Sequence, residues 1–206
     1  MQDYQAPARL HTPAERRAHL MRELVEVVLF VGIVFVIVQF AIKPYRVTGT
    51  NMYPQIAPEQ IIVVNRTSYI LSGPGRGDVV VYTSPADTTT QLIGRVIAVP
   101  GDTIALNATQ VLVNGVALNE TYVQSVPGES NSIVQPVKLA SGQYFIMNDS
   151  RGNGTKLPDG TIFYADSRSF GPVPRSNIVG RAAIVFWPLS SFGGVSTFSS
   201  VFKNVP

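Results

Sequence analysis

Arg95-Val96-Ile97-Ala98-Val99-Pro100-Gly101-Asp102 is an apolar, β-branched run that stops at a proline, a glycine and an aspartate. A short apolar run bounded by a turn reads as a buried strand, here over about residues 92–99. Working outward, Ile61-Ile62-Val63-Val64 and Val79-Val80-Val81-Tyr82 read the same way on the N-terminal side. On the C-terminal side, Val111-Leu112-Val113 and Val116-Ala117-Leu118 flank Asn114-Gly115, a strong hairpin signal. Residues 144–147 and 182–186 add two more strands. Beyond Pro44 no helical period is sustained, so about eight short strands predict an all-β, barrel-like or sandwich-like domain.

Upstream the pattern changes. Residues 24–42 read LVEVVLFVGIVFVIVQFAI, an apolar stretch of 19 residues carrying one charge, Glu26. About 20 such residues in a helix span a bilayer. Lys43-Pro44-Tyr45-Arg46 is a poor cleavage site, which favours an uncleaved signal anchor over a removed signal peptide. Arg9, Arg16, Arg17 and Arg22 precede the span, so the positive-inside rule sets the N-terminus in the cytoplasm and the domain outside. The expected organisation is a loosely ordered cytoplasmic tail over 1–23, a membrane span over 24–42, and an extracytoplasmic β domain over 43–206. Membrane lipid is thus an expected partner.

Composition narrows the chemistry. The net charge is only +3 with no basic block, which argues against nucleic acid as a partner. There is no cysteine, so disulfides, thiolate catalysis and cysteine-based zinc sites are excluded. Both histidines, His11 and His19, precede the apolar run, which removes a Ser-His-Asp triad from the domain. No cofactor and no metal is expected.

Five blocks follow the span in order: Val47-Thr48-Gly49-Thr50-Asn51-Met52-Tyr53-Pro54, Arg76-Gly77-Asp78, Arg95 to Asp102, Asn148-Asp149-Ser150-Arg151, and Asp166-Ser167-Arg168-Ser169-Phe170-Gly171. The ordered set, with Phe186-Trp187-Pro188, resembles the type I signal peptidase family over about residues 22–189. The resemblance implies a signal-peptidase-like β domain behind one N-terminal transmembrane helix. It also implies a serine nucleophile in the first block and a lysine base just before Arg95. A serine two residues before the last Asp would orient that lysine. In this chain those three positions are Asn51, Gly94 and Tyr164.

A hydroxyl is a poor nucleophile until a base takes its proton, and a lysine serves only where an apolar surround lowers its pKa. Asparagine and glycine supply neither group. Loss of a serine-peptidase nucleophile costs about six orders of magnitude in turnover. Thr50 is a weak alternative nucleophile. On an extended strand it would point away from the Asn51 face. Lys138 and Lys156 are read as ordinary surface lysines, and Lys43 as one snorkelling at the membrane face.

Gly49, Met52, Pro54, Arg95, Asp149, Arg151, Asp166, Ser167 and Arg168 match groove and scaffold positions of the family, with the carboxylates expected to pair with guanidinium groups. Arg151 and Asp166 stand 15 positions apart. The excess over the family's spacing is about ten residues, an insertion at about 152–165 that a surface loop tolerates at small entropic cost. Two functions follow as expectations. The first is a catalytically silent homologue that binds extended peptides or preproteins, an active signal peptidase, or surface-polymer subunits. The second is an active signal peptidase with a rearranged nucleophile.

Overall fold

The computed structural model describes residues 13–123, 133–152 and 154–206. Helix α1 runs over Pro13–Ala41, starting with proline at a position where its missing N–H costs nothing. Residues 13–23, expected to be loosely ordered, are therefore helical. Their Ala, Glu, Arg, Leu and Met residues are strong helix formers. The pairs His19–Glu23 and Arg22–Glu26 add support one turn apart. Residues 1–12 of the expected tail lie outside the described residues. His19–Ala41 is long and apolar enough to cross a membrane, and none of it is buried by the protein. The apolar helix ends one residue earlier than the sequence pattern suggests, because Ile42 begins a strand.

The β domain occupies Ile42–Pro206. Its strands are β1 (Ile42–Arg46), β2 (Ile61–Asn65), β3 (Val79–Thr83), β4 (Gln91–Ala98), β5 (Thr103–Leu106), β6 (Val111–Val113) and β7 (Val116–Ala117). Then come β8 (Val134–Lys138), β9 (Gln143–Met147), β10 (Gly154–Lys156), β11 (Ile162–Tyr164), β12 (Val173–Pro174), β13 (Ile178–Trp187) and β14 (Gly193–Gly194), with a short helix α2 (Ser167–Phe170) before β12. The main sheet has the order β1-β2-β13-β3-β4-β9-β12, with β14 on β13. A second sheet has the order β7-β6-β5-β8, and β10 and β11 form a separate hairpin. Every pairing is antiparallel.

Residues in the centre of the main sheet are buried on both faces. Val79, Val81 and Ile93 pack with Val47, Met52 and Ile56, while Val80, Tyr82, Val96 and Ile146 pack on the opposite side. That is why these strands read as unbroken apolar runs rather than alternating ones. The small sheet alternates, and its inward residues share a third core with Ile97, Phe145, Phe202 and Val205. The expected insertion is the β10–β11 hairpin, closed by a turn in which Gly160 N–H donates to the Leu157 carbonyl.

Candidate functional site

The segment after β1 is a turn, not a strand. Tyr53 N–H donates to the Thr50 carbonyl at 3.0 Å, and Ile56 N–H to the Met52 carbonyl at 2.9 Å. Met52 and Ile56 plug the turn into the core with no exposure. The strand alternation expected for Thr50 and Asn51 therefore does not apply; Thr50 is exposed at the turn and Asn51 half-buried. Gly49, at φ +81°, supplies the left-handed step that opens the turn. Pro54 follows a cis peptide bond and is exposed.

This turn is tied to the rest of the site at two places. Ser150 N–H donates to the Asn51 carbonyl at 3.0 Å, which sets Asn51 beside the segment leaving β9. Arg95 reaches Gln55 Oε1 at 2.8 Å from the other side. Arg95 is wholly buried and pairs with Asp149 through two bonds of 2.9 and 2.6 Å. Burial pushes the Asp149 carboxyl above its ordinary value, and the Arg95 bonds oppose that shift without cancelling it.

Asp166 and Arg168 form a second buried pair, at 3.0 and 2.7 Å. The same carboxylate caps α2 by accepting from Arg168 N–H, and it accepts from Asn148 N–H at 3.0 Å. Ser167 Oγ accepts from Ile146 N–H at 3.0 Å, and Arg168 Nη1 donates to the Arg151 carbonyl at 2.8 Å. The expected carboxylate–guanidinium ties are thus present for three arginines, but Arg151 pairs with Glu120. Glu120 lies 31 positions away and carried no sequence signal. Tyr122 also escaped the sequence reading. Its ring stacks on the Arg95 guanidinium at 4.4 Å, and Phe198 covers the same group at 5.1 Å.

Gly94 sits in β4, buried, and the space beside it is filled. A Cβ there would meet Ile146 Cγ2 at 2.6 Å and Tyr82 Cε1 at 3.5 Å. Tyr164 ends β11 with its ring buried against the Arg168 guanidinium at 3.7 Å. The turn of Asn51, the β4 position of Gly94 and the β11–α2 segment of Tyr164 therefore converge on the end of β9. Lys43 and Lys138 lie on strands β1 and β8, and Lys156 on the β10 hairpin strand, all exposed.

The family model for signal peptidase, peptidase S26, matches residues 20–187. The chain belongs to the signal peptidase family. The signal peptidase I of Leptolyngbya laminosa is 31% identical over 162 residues, covering 75% of this chain and 73% of that protein. The probable signal peptidase I-2 of Synechocystis sp. is 30% identical over 160 residues, 75% and 67% of the two chains. Signal peptidase IB of Staphylococcus aureus is 27% identical over 84% and 94%. A crystal structure of a signal peptidase I from Enterococcus faecalis V583 overlays on 53% of this chain and 97% of that one, at 24% identity and a TM-score of 0.42. Asn51, Gly94 and Tyr164 all lie within the matched residues.

Proposed function

We propose that this protein is a membrane-anchored signal peptidase homologue that binds extended peptide segments of preproteins without cutting them. The observation that carries this reading is Gly94. A lysine-type base needs a side chain there, and the position instead has none, with Ile146 and Tyr82 packed against it. Asn51 offers an amide where acyl transfer requires an ionisable hydroxyl or thiol. Extended peptides pair with a sheet edge through the main chain, a mode of recognition that needs no nucleophile. Phe186, Trp187, Leu189 and Phe192 are more than half exposed, apolar surface suited to contact with a peptide or with lipid. An active signal peptidase and surface-polymer subunits are further partners of the same kind. The proposed topology has the N-terminus in the cytoplasm and the domain outside.

The test uses the full chain in vesicles with a signal-peptide-bearing preprotein. No mature product is expected, and a photo-reactive residue replacing Asn51 should crosslink to the preprotein. Cleavage that survives Thr50→Ala and disappears when a lysine is replaced would overturn the reading.

A further inference from the structure

Ile70 and Leu71, in the loop between β2 and β3, are 71% and 100% exposed, two large aliphatic side chains in succession left in water. Scattered exposed apolar residues are ordinary, but an adjacent pair on a fixed tip marks a contact surface. The chain is tied on both sides of this tip. Before it, Tyr69 is buried, its hydroxyl donates to Asp78 at 3.0 Å, and its carbonyl accepts from Arg175 at 2.9 Å. After it, Pro74 is buried, and Gly73 lies so close to Tyr144 that a Cβ there would meet the hydroxyl oxygen at 2.4 Å. Strand register gives the tip its place. Ile42, the first residue after the apolar helix, pairs with Asn65, and Asn65 with Arg181. Since β2 is antiparallel to β1, the chain at Asn65 is heading back past the point where the span tethers the domain. It holds that course: a Cβ at Gly180 would meet Arg66 Cα at 3.0 Å, and Tyr69 shares a core with Ile178, the first residue of β13. The tip therefore lies beyond Ile42, on the side away from Arg46. Lys43 and Arg66, each one residue from the Ile42–Asn65 pair, are exposed.

We propose that Ile70 and Leu71 form a second membrane contact of the domain, inserted between lipid headgroups near the tether, with Lys43 and Arg66 on the headgroup phosphates. Two observations choose lipid over a protein partner. The tip lies past the residue that joins the span, and the exposed charges beside the Ile42–Asn65 pair are both positive. Aliphatic side chains at the boundary of headgroups and acyl chains, with lysine or arginine at the phosphate level, are how interfacial segments hold a bilayer. One span alone lets a domain swivel and tilt about its tether, and a second contact fixes its height and facing. Arg181 also pairs with Val80, and Val80 with Gly94, so Gly94 stands on the same row of the sheet as Ile42. The contact thereby holds the candidate site close to the bilayer surface. It goes beyond the proposed function and does not depend on whether a peptide is cut.

The experiment uses the full chain, which has no cysteine of its own. Ser72→Cys, exposed beside the intact tip, and Ala108→Cys, exposed on the β5–β6 turn, each carry a bimane label in vesicles of phosphatidylcholine and phosphatidylglycerol. Lipids brominated along their acyl chains should dim the Ser72 label about twofold, as insertion of roughly 5–10 Å requires, and leave the Ala108 label unchanged. Adding Ile70→Glu/Leu71→Glu should abolish that loss while circular dichroism stays unaltered. No quenching at position 72, equal quenching at both positions, or quenching that survives the two glutamates overturns the proposal. A tip that serves a protein partner gives the first of these results. If the glutamate variant is unfolded, Ile70→Ser/Leu71→Ser takes its place under the same criteria. Preprotein cleavage does not enter the readout, so the non-cleaving reading is judged separately.

Discussion

Arg95 spends its guanidinium entirely inside the protein. It donates to Asp149 twice, to the Gly77 and Ser196 carbonyls and to Gln55, five bonds for the five donors it owns. Removing Asp149 leaves a buried charge that the neutral acceptors only partly compensate. Asp149→Ala is therefore expected to cost about 3–5 kcal/mol in chemical denaturation, and a loss below about 1 kcal/mol would contradict this account. Asp102 illustrates the opposite electrostatic outcome. Burial would raise its pKa, but bonds from Arg76, from Val99 N–H and from Asn114, with the Arg76 charge, hold the carboxyl below its ordinary value. A lowered folded-state pKa means that stability is present above the unfolded value and lost as pH falls through the folded one. The unfolded value is about 3.9, so the loss belongs to pH below about 4. Asp102→Asn should flatten that part of an acid-unfolding curve; an unchanged slope would show the Arg76 bond contributes nothing. Arg95, Asp149, Arg151, Asp166 and Arg168 were visible in the sequence as scaffold residues, but the Glu120 partner of Arg151 was not. A guanidinium pairs with whichever carboxylate the chain brings within reach, and Glu120 arrives from 31 positions away.

Among elements, strand recognition failed where composition and place disagree. β1 contains Pro44 and β8 contains Pro136, and each is the outermost strand of its sheet. Proline is tolerated on an edge because its missing N–H faces away from the ladder, yet in sequence it reads as a break. Strands β3, β4 and β9 were legible because their apolar runs are largely buried, and β2, β6 and β13 because apolar residues rich in Val and Ile run between turn residues. The C-terminal segment is held by a different device, close approach of backbones. Gly77 has φ +88°, and a Cβ there would lie 2.2 Å from the Thr197 carbonyl oxygen and 3.2 Å from the Phe202 ring. Gly77→Ala should therefore push the 197–202 segment off β3 and β4, destabilising by roughly 1–3 kcal/mol from overpacking, with further strain from the backbone. Full stability in a thermal melt of that variant would mean the segment shifts freely. The β10–β11 hairpin shows the limit of loop arithmetic. Its length was countable, whereas its pairing depends on Tyr164 packing against Gly154 and Arg168.

For the whole molecule, topology across the membrane is a direct experiment because the chain has no cysteine. Lys203→Cys, at an exposed position, introduces one thiol. A membrane-impermeant maleimide should label it in intact cells, and labelling only after the membrane is opened would reverse the proposed orientation. The sequence by itself determined the apolar helix, the β character of the domain and the family, because hydropathy period and ordered motif blocks are local properties of a chain. It also set Asn51, Gly94 and Tyr164 at the positions where the resemblance implies a serine, a lysine and a serine. Only the tertiary structure decided what surrounds those three residues. Gly94 leaves no hole, since Ile146, the Met147 carbonyl and Tyr82 close over it. Such facts depend on strand register and on contacts between residues more than 50 positions apart, which no local pattern encodes.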